Sequence, residues 1–174
     1  MIYSEFRTTD FHSYFNLSEL SSSTSTRKRF KPGGFQEHVD LELRLDEQSE
    51  IMCGELILDR KFIGNTEHLN AFAKDIAKSF IAAFIPQSTK LREDDPALLL
   101  VHSLMNLIGS KDPIIPCSRP LYYVEGSAPR IQPLLDTYRG TRESAELQLS
   151  NSNVSFKRIE QGKKARLSIT WSTK

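Results

Sequence analysis

Cysteine is nearly absent from this sequence. There are two, Cys53 and Cys117, far apart and outside any C-x-x-C pattern. That excludes a disulfide framework and a thiolate zinc site. Both have apolar neighbours, so the expectation is buried, reduced thiols and a cytoplasmic location. Long hydrophobic runs are missing too. The longest, residues 79–86 (SFIAAFIP) and 97–101, fall short of the roughly 20 residues that span a bilayer. The stretch MIYSEFRTTDF has no charged region followed by an apolar one, so neither a signal peptide nor a membrane partner is expected. Excess charge of one sign is also lacking: 23 basic and 22 acidic residues leave a net +1. Any case for nucleic acid must therefore be local. No G-x-S-x-G, S-x-x-K or glycine-rich phosphate loop is present. The one Gly-Gly, Gly33-Gly34, precedes a strand pattern rather than a helix, so helix-dipole phosphate binding does not follow there. No cofactor is implied, and no internal repeat is found.

What is present is an ordinary globular composition: 174 residues, 39% apolar and 26% charged, enough for one substantial core. Residues 1–34 read as an N-terminal segment carrying Phe6, Phe11, Tyr14 and Phe15, followed by a flexible basic loop; residues 35–174 read as a single domain. In EHVDLELRLD, Val39, Leu41, Leu43 and Leu45 alternate with charged residues, the period of a strand with one wet face. Residues 51–63 read as a second long strand, with Gly54 a bulge or close approach. Gly64-Asn65-Thr66 ends that strand and caps a helix in which Leu69, Phe72, Ala73, Ile76, Phe80, Ala83 and Phe84 recur at helical spacing. Its end, Phe80 to Ile85, is apolar all round, and burial within its own domain is expected. Pro86 stops it. Asp95-Pro96 starts a buried helix over 97–108 that Gly109 ends. Residues 111–127 carry three prolines, with LYYV the best edge-strand candidate. Residues 129–138 read as a short helix ended by Gly140, with Pro133 inside it. Ala145, Leu147 and Leu149, then Val154 and Phe156, then Ala165, Leu167, Ile169 and Trp171 mark a three-stranded meander. The fold class is α+β: an antiparallel sheet of about five to seven strands with two to three helices packed on one face.

Three constellations carry possible chemistry. His38, Asp40 and Glu42 share one strand face, about 7 Å apart, and two of them with a ligand from elsewhere would suit a divalent ion. The ordinary explanation, the wet face of an exposed strand continued by Arg44 and Asp46, is the one expected, and no metal is assigned. His102 lies in an apolar helix and reads as a satisfied core histidine. The stretch SSSTSTRKRFKPGG places Arg27, Lys28, Arg29 and Lys31 around Phe30, a pattern able to contact phosphate and stack on a base. It adjoins acidic residues, so a solvated loop is expected instead.

Charge segregates along the chain. Residues 37–59 are acidic except for Arg44; residues 157–174 are basic except for Glu160, and include Lys163, Lys164 and Arg166. If these hairpins adjoin, they pair across strands; if they lie apart, they offer complementary surfaces for self-association. The reading is a non-catalytic protein-interaction module (adaptor, assembly factor or chaperone-like) that binds a protein partner or itself. The first alternative is a nucleic-acid or phosphate binder using the basic arm and the basic hairpin, with Arg27, Lys28, Arg29, Lys31, Lys163, Lys164 and Arg166 as contacts. The second is a small-molecule binder or enzyme with a pocket between sheet and helices; the reading leans away from an enzyme.

Overall fold

The computed structural model describes residues 1–65, 68–84, 100, 101, 104 and 130–174. Seven strands form one antiparallel sheet: β1 (Ser18–Glu19), β2 (Arg27–Lys31), β3 (Val39–Leu45), β4 (Ile51–Asp59), β5 (Ser144–Gln148), β6 (Ser152–Gln161) and β7 (Lys164–Thr173). Five helices accompany it among the described residues: α1 (Tyr3–Phe6), α2 (Asp10–Tyr14), α3 (Arg60–Ile63), α4 (Ala71–Phe84) and α5 (Gln132–Arg139). The fold is α+β, as the periodicities imply. The spatial order is β1-β2-β3-β4-β7-β6-β5. An N-terminal meander, β1 to β4, is therefore sealed to a C-terminal one, β5 to β7, along the β4–β7 seam.

Register decides which residues share a face. Phe30, Leu41, Leu56, Ile169 and Phe156 oppose one another in one row. Leu43, Gly54, Trp171 and Val154 make the next. All are buried. The helices cover this face. Phe6 of α1 packs against Phe30, Phe84 of α4 stacks on Trp171, and Tyr138 of α5 meets Phe156. The α4 end is covered by its own chain: Phe80 and Ile81 are 0% exposed and Phe84 is 4% exposed.

Several local expectations change. The basic loop is in part a strand. β2 pairs with both β1 and β3, and Phe30 is buried alongside Phe6, Phe11 and Phe15 in the same core as the sheet. Alternation over Arg27 to Lys31 is masked in sequence because its wet positions and Lys28 are all cationic. The second strand stops at Asp59 rather than Ile63, where two polar residues followed by two buried ones, Phe62 and Ile63, break the period of two. The cap of α4 is Asn70, whose side chain accepts from Ala73 N at 3.1 Å; Asn65 instead accepts from His68 N at 2.8 Å. Pro133 is tolerated because it lies in the first turn of α5, where no intrahelical N–H bond is lost. Gly140 ends that helix with φ 87°, and the Arg60 guanidinium donates to the last carbonyls, Tyr138 O and Arg139 O. Of the expected helix over 97–108 only residues 100, 101 and 104 are described, with Leu100 and Leu104 fully buried in the core; His102, Cys117 and the LYYV candidate lie outside the described residues.

Gly54 marks a close approach. A Cβ there would meet the Phe84 ring at 3.0 Å and Leu43 Cδ2 at 3.3 Å. The ring cannot simply withdraw, because it is stacked between Trp171 and Phe6 at centroid distances of 4.7 and 5.9 Å. Gly54→Val is expected to lower unfolding free energy by about 1–3 kcal/mol through overpacking, and Phe84→Ala by about 3–5 kcal/mol through the cavity left. Urea denaturation followed by tryptophan fluorescence measures both, since Trp171 reports the site directly.

Candidate functional site

The opposite face of the sheet is polar, and no helix among the described residues covers it. Its rows follow from the same register. Arg29, Glu42, Glu55, Thr170 and Ser155 form one; Arg27, Arg44, Cys53, Ser172 and Asn153 form the next. Two carboxylate-centred clusters organise it.

The first cluster surrounds Glu42. Arg27 Nε lies 2.6 Å from Glu42 Oε1, and Arg29 Nε donates to Oε2 at 3.2 Å. Arg44 approaches Oε1 at 3.6 Å. Burial alone would push the Glu42 carboxyl up, but the contacts of the Arg27 and Arg29 guanidinium groups outweigh it and hold the group below its ordinary range. Two of the arm's four cations are thus held by one acid on the neighbouring strand.

The second cluster surrounds Asp59, which is only 6% exposed. Arg166 bridges two acids: its Nη1 donates to Asp40 Oδ2 at 2.8 Å and its Nε lies 2.8 Å from Asp59 Oδ1. The Nε–H does not point at Oδ1, nor Arg27 Nε–H at Glu42 Oε1, so these two are charge contacts rather than aligned hydrogen bonds. His38 Nδ1 sits 3.1 Å from Asp59 Oδ2, and Lys164 Nζ reaches the same oxygen at 3.6 Å. An ionised carboxylate only accepts, so His38 carries a proton on Nδ1. The imidazole also stacks on Phe62 at 4.9 Å. Burial would raise the Asp59 carboxyl; His38, Arg166 and Lys164 together lower it below the usual range. Lys31 completes the network, 2.6 Å from Asp40 and donating to Gln36 O and Val39 O.

The residues singled out in sequence are therefore dispersed among partners. His38, Asp40 and Glu42 do not converge: each turns to a different cation or acid, and the described residues contain no group of three or more His, Cys, Asp or Glu able to hold a metal. Lys28 faces the helix side instead, bonded to Glu19 at 3.2 Å and lying 5.2 Å above the Tyr3 ring. Lys163, at the β6–β7 turn, is exposed. The acidic and basic hairpins adjoin, which is the first of the two arrangements weighed. Sequence reasoning missed the hub, Asp59. Its signal was the acid that ends the apolar run Leu56, Ile57, Leu58. It also missed Ser168, which is 5% exposed and donates to Glu55 Oε1 at 2.6 Å. Two open hollows among the described residues are lined by Glu143, Ser144, Lys157, Arg158 and Glu160, and by Thr26, Arg27, Arg44 and Leu45; neither contains a histidine.

Asp59→Ala strips Arg166 of one acid and leaves it Asp40, so the expected loss is about 2–4 kcal/mol, near the lower range for breaking a buried pair. The sign with pH follows from depressed carboxyls. Stability from Asp59 and Glu42 is fully present above the unfolded carboxylate pKa of about 4 and is lost as pH falls through their lower folded values. Denaturation midpoints from pH 7 to pH 2 should fall less steeply in Asp59→Ala than in the parent; parallel profiles would refute the hub. No family model, curated protein or solved structure matches this chain.

Proposed function

We propose that the chain is a non-catalytic interaction module that binds protein, its own copies included, and presents the polar face of its sheet. The observation behind this reading is the mutual neutralisation of that face. Arg27, Arg29, Lys31 and Arg166 are engaged by Glu42, Asp40 and Asp59. Side chains held this way lose little freedom on docking, which favours association of preformed surfaces. Hydroxyls on β6 and β7 of the same face, Ser155, Thr170 and Ser172, add donors and acceptors suited to a polar protein contact.

The same pairings weigh against the arm as a phosphate grip. A phosphate there has to compete with carboxylates already placed on Arg27, Arg29 and Lys31, and four cations are a small electrostatic footprint to begin with.

A photo-cross-linking residue placed at Ser155 or Ser172, both half-buried on the polar face, should yield adducts of higher mass in living cells. The same residue at Ser13, exposed on α2, should yield none. No adduct from the sheet positions, or equal yield from Ser13, would overturn the reading.

A further inference from the structure

The sheet also separates charge along its strands. The β3–β4 turn, residues 46–50, carries Asp46, Glu47 and Glu50 and no base. Glu47 and Glu50 are exposed. At the opposite end, the β6–β7 turn carries Lys163 and Lys164, while Lys157 and Arg158 lie further back within β6, where Lys157 opposes Ser144 and Ser168, against Glu160. Lys157 and Lys163 are exposed, with no partner among the described residues. Register fixes the separation: Asp59 at the end of β4 opposes Arg166 near the start of β7, while Cys53 opposes Ser172. The two turns are thus held a full strand apart, about 26 Å at 3.3 Å per residue.

That spacing matters because it exceeds the Debye length of about 8 Å at physiological salt roughly threefold. The ends of one molecule cannot neutralise each other. The ends of two molecules can, and contact between them costs little desolvation because all four key side chains are at exposed positions.

We propose that the acidic β3–β4 turn of one copy seats on the basic β6–β7 hairpin of the next, a head-to-tail contact between copies of this chain. The contact is heterologous: each copy has one donor end and one acceptor end, so association propagates rather than stopping at a two-fold dimer. Flat edge pairing is the less suitable route. One edge strand, β1, has only two residues, and the other, β5, carries Glu146, while Arg142 Nε covers the Ser144 carbonyl at 2.8 Å. These are devices that discourage strand addition. The inference rests on the reading of the chain as an interaction module and adds, beside the polar face, a contact at the strand ends between its own copies.

Sedimentation velocity of the full chain tests it. At about 20 mM salt, where the Debye length is long, the weight-average mass should rise with protein concentration, and it should return to monomer at 500 mM. Two variants isolate the ends: Glu47→Ala with Glu50→Ala, and Lys157→Ala with Lys163→Ala. Each alone should be monomeric at low salt. Mixed in equal amounts they should form a dimer and nothing larger, since only one complementary pair of ends remains. Such a mixture separates lost contact from lost fold, because a misfolded variant cannot rescue its partner. A wild-type chain that stays monomeric at low salt overturns the inference. So does a mixture that stays monomeric, or a monomer whose basic end instead retards a nucleic-acid probe. Polar-face cross-links from a chain monomeric throughout would leave the interaction module standing and remove this contact.

Discussion

The β4–β7 seam holds the two halves of this protein together, and on the wet side of the sheet that seam is pinned by Arg166. Its guanidinium reaches Asp40 on β3 and Asp59 on β4, joining residues more than a hundred positions apart in sequence. On the other side the same seam is closed by Gly54 and Trp171, which face each other in register beneath the Phe84 ring. One strand pair thus carries an ionic lock on one face and an aromatic stack on the other. Helix α4 docks on the stack, and the N-terminal helices dock on α4 through Phe6 and Phe11. Long-range pairing of this kind is slow to form because loop closure precedes its reward. The local meanders on either side are expected to assemble first.

The basic arm shows how one residue changes the status of a segment. Arg27 to Lys31 looks solvated because four of five side chains are cationic. Phe30 is the exception, and it is 1% exposed against Phe6, Tyr3 and His12. With Phe30 committed to the core, alternation sends Arg27, Arg29 and Lys31 to the wet face, directly beside the acids of β3. The acidic run from Glu37 to Glu42 and the basic run before it are two halves of one ladder. Cross-strand pairs of opposite charge contribute roughly 0.2–1 kcal/mol each. Their larger role here is to let a strand this basic join a sheet at all.

Strands with clean alternation were legible: β3, β5 and β7 emerge where the period of two predicts them, and the α4 stripe emerges where the helical period does. Positions set by tertiary contacts were not. The end of β4 depends on Asp59 finding Arg166 and His38, and no local pattern encodes that meeting. The strand character of β2 depends on a partner strand. At the candidate site, sequence identified most of the participants, Arg27, Arg29, Lys31, Asp40, Glu42, Lys164, Arg166 and His38, but grouped them as a metal face, an arm and a hairpin. Register regroups them around Glu42 and Asp59. Spacing of about 7 Å along one strand carries no information about the neighbouring strands, about 4.8 Å away, and those supplied every partner.

A surface whose charges are already paired and one whose charges are free do different jobs. Paired groups such as Glu42 with Arg27 and Arg29 exert little field at a distance, because opposite charges cancel beyond a few ångströms. What they offer is a fixed pattern of donors and acceptors, which discriminates between partners at contact. Free charges such as Lys163 and Glu47 fix no geometry, but they act over a Debye length and speed encounter. Among the described residues, pairing is concentrated across the rows of β2, β3, β4 and β7, while Glu47 and Lys163 lie at turns, where a strand has run out of neighbours, and Lys157 lies on β6 beyond those rows. The segregation follows directly from an antiparallel register that sets an acidic hairpin against a basic one, so that the arrangement that stabilises the sheet also determines where it can attract.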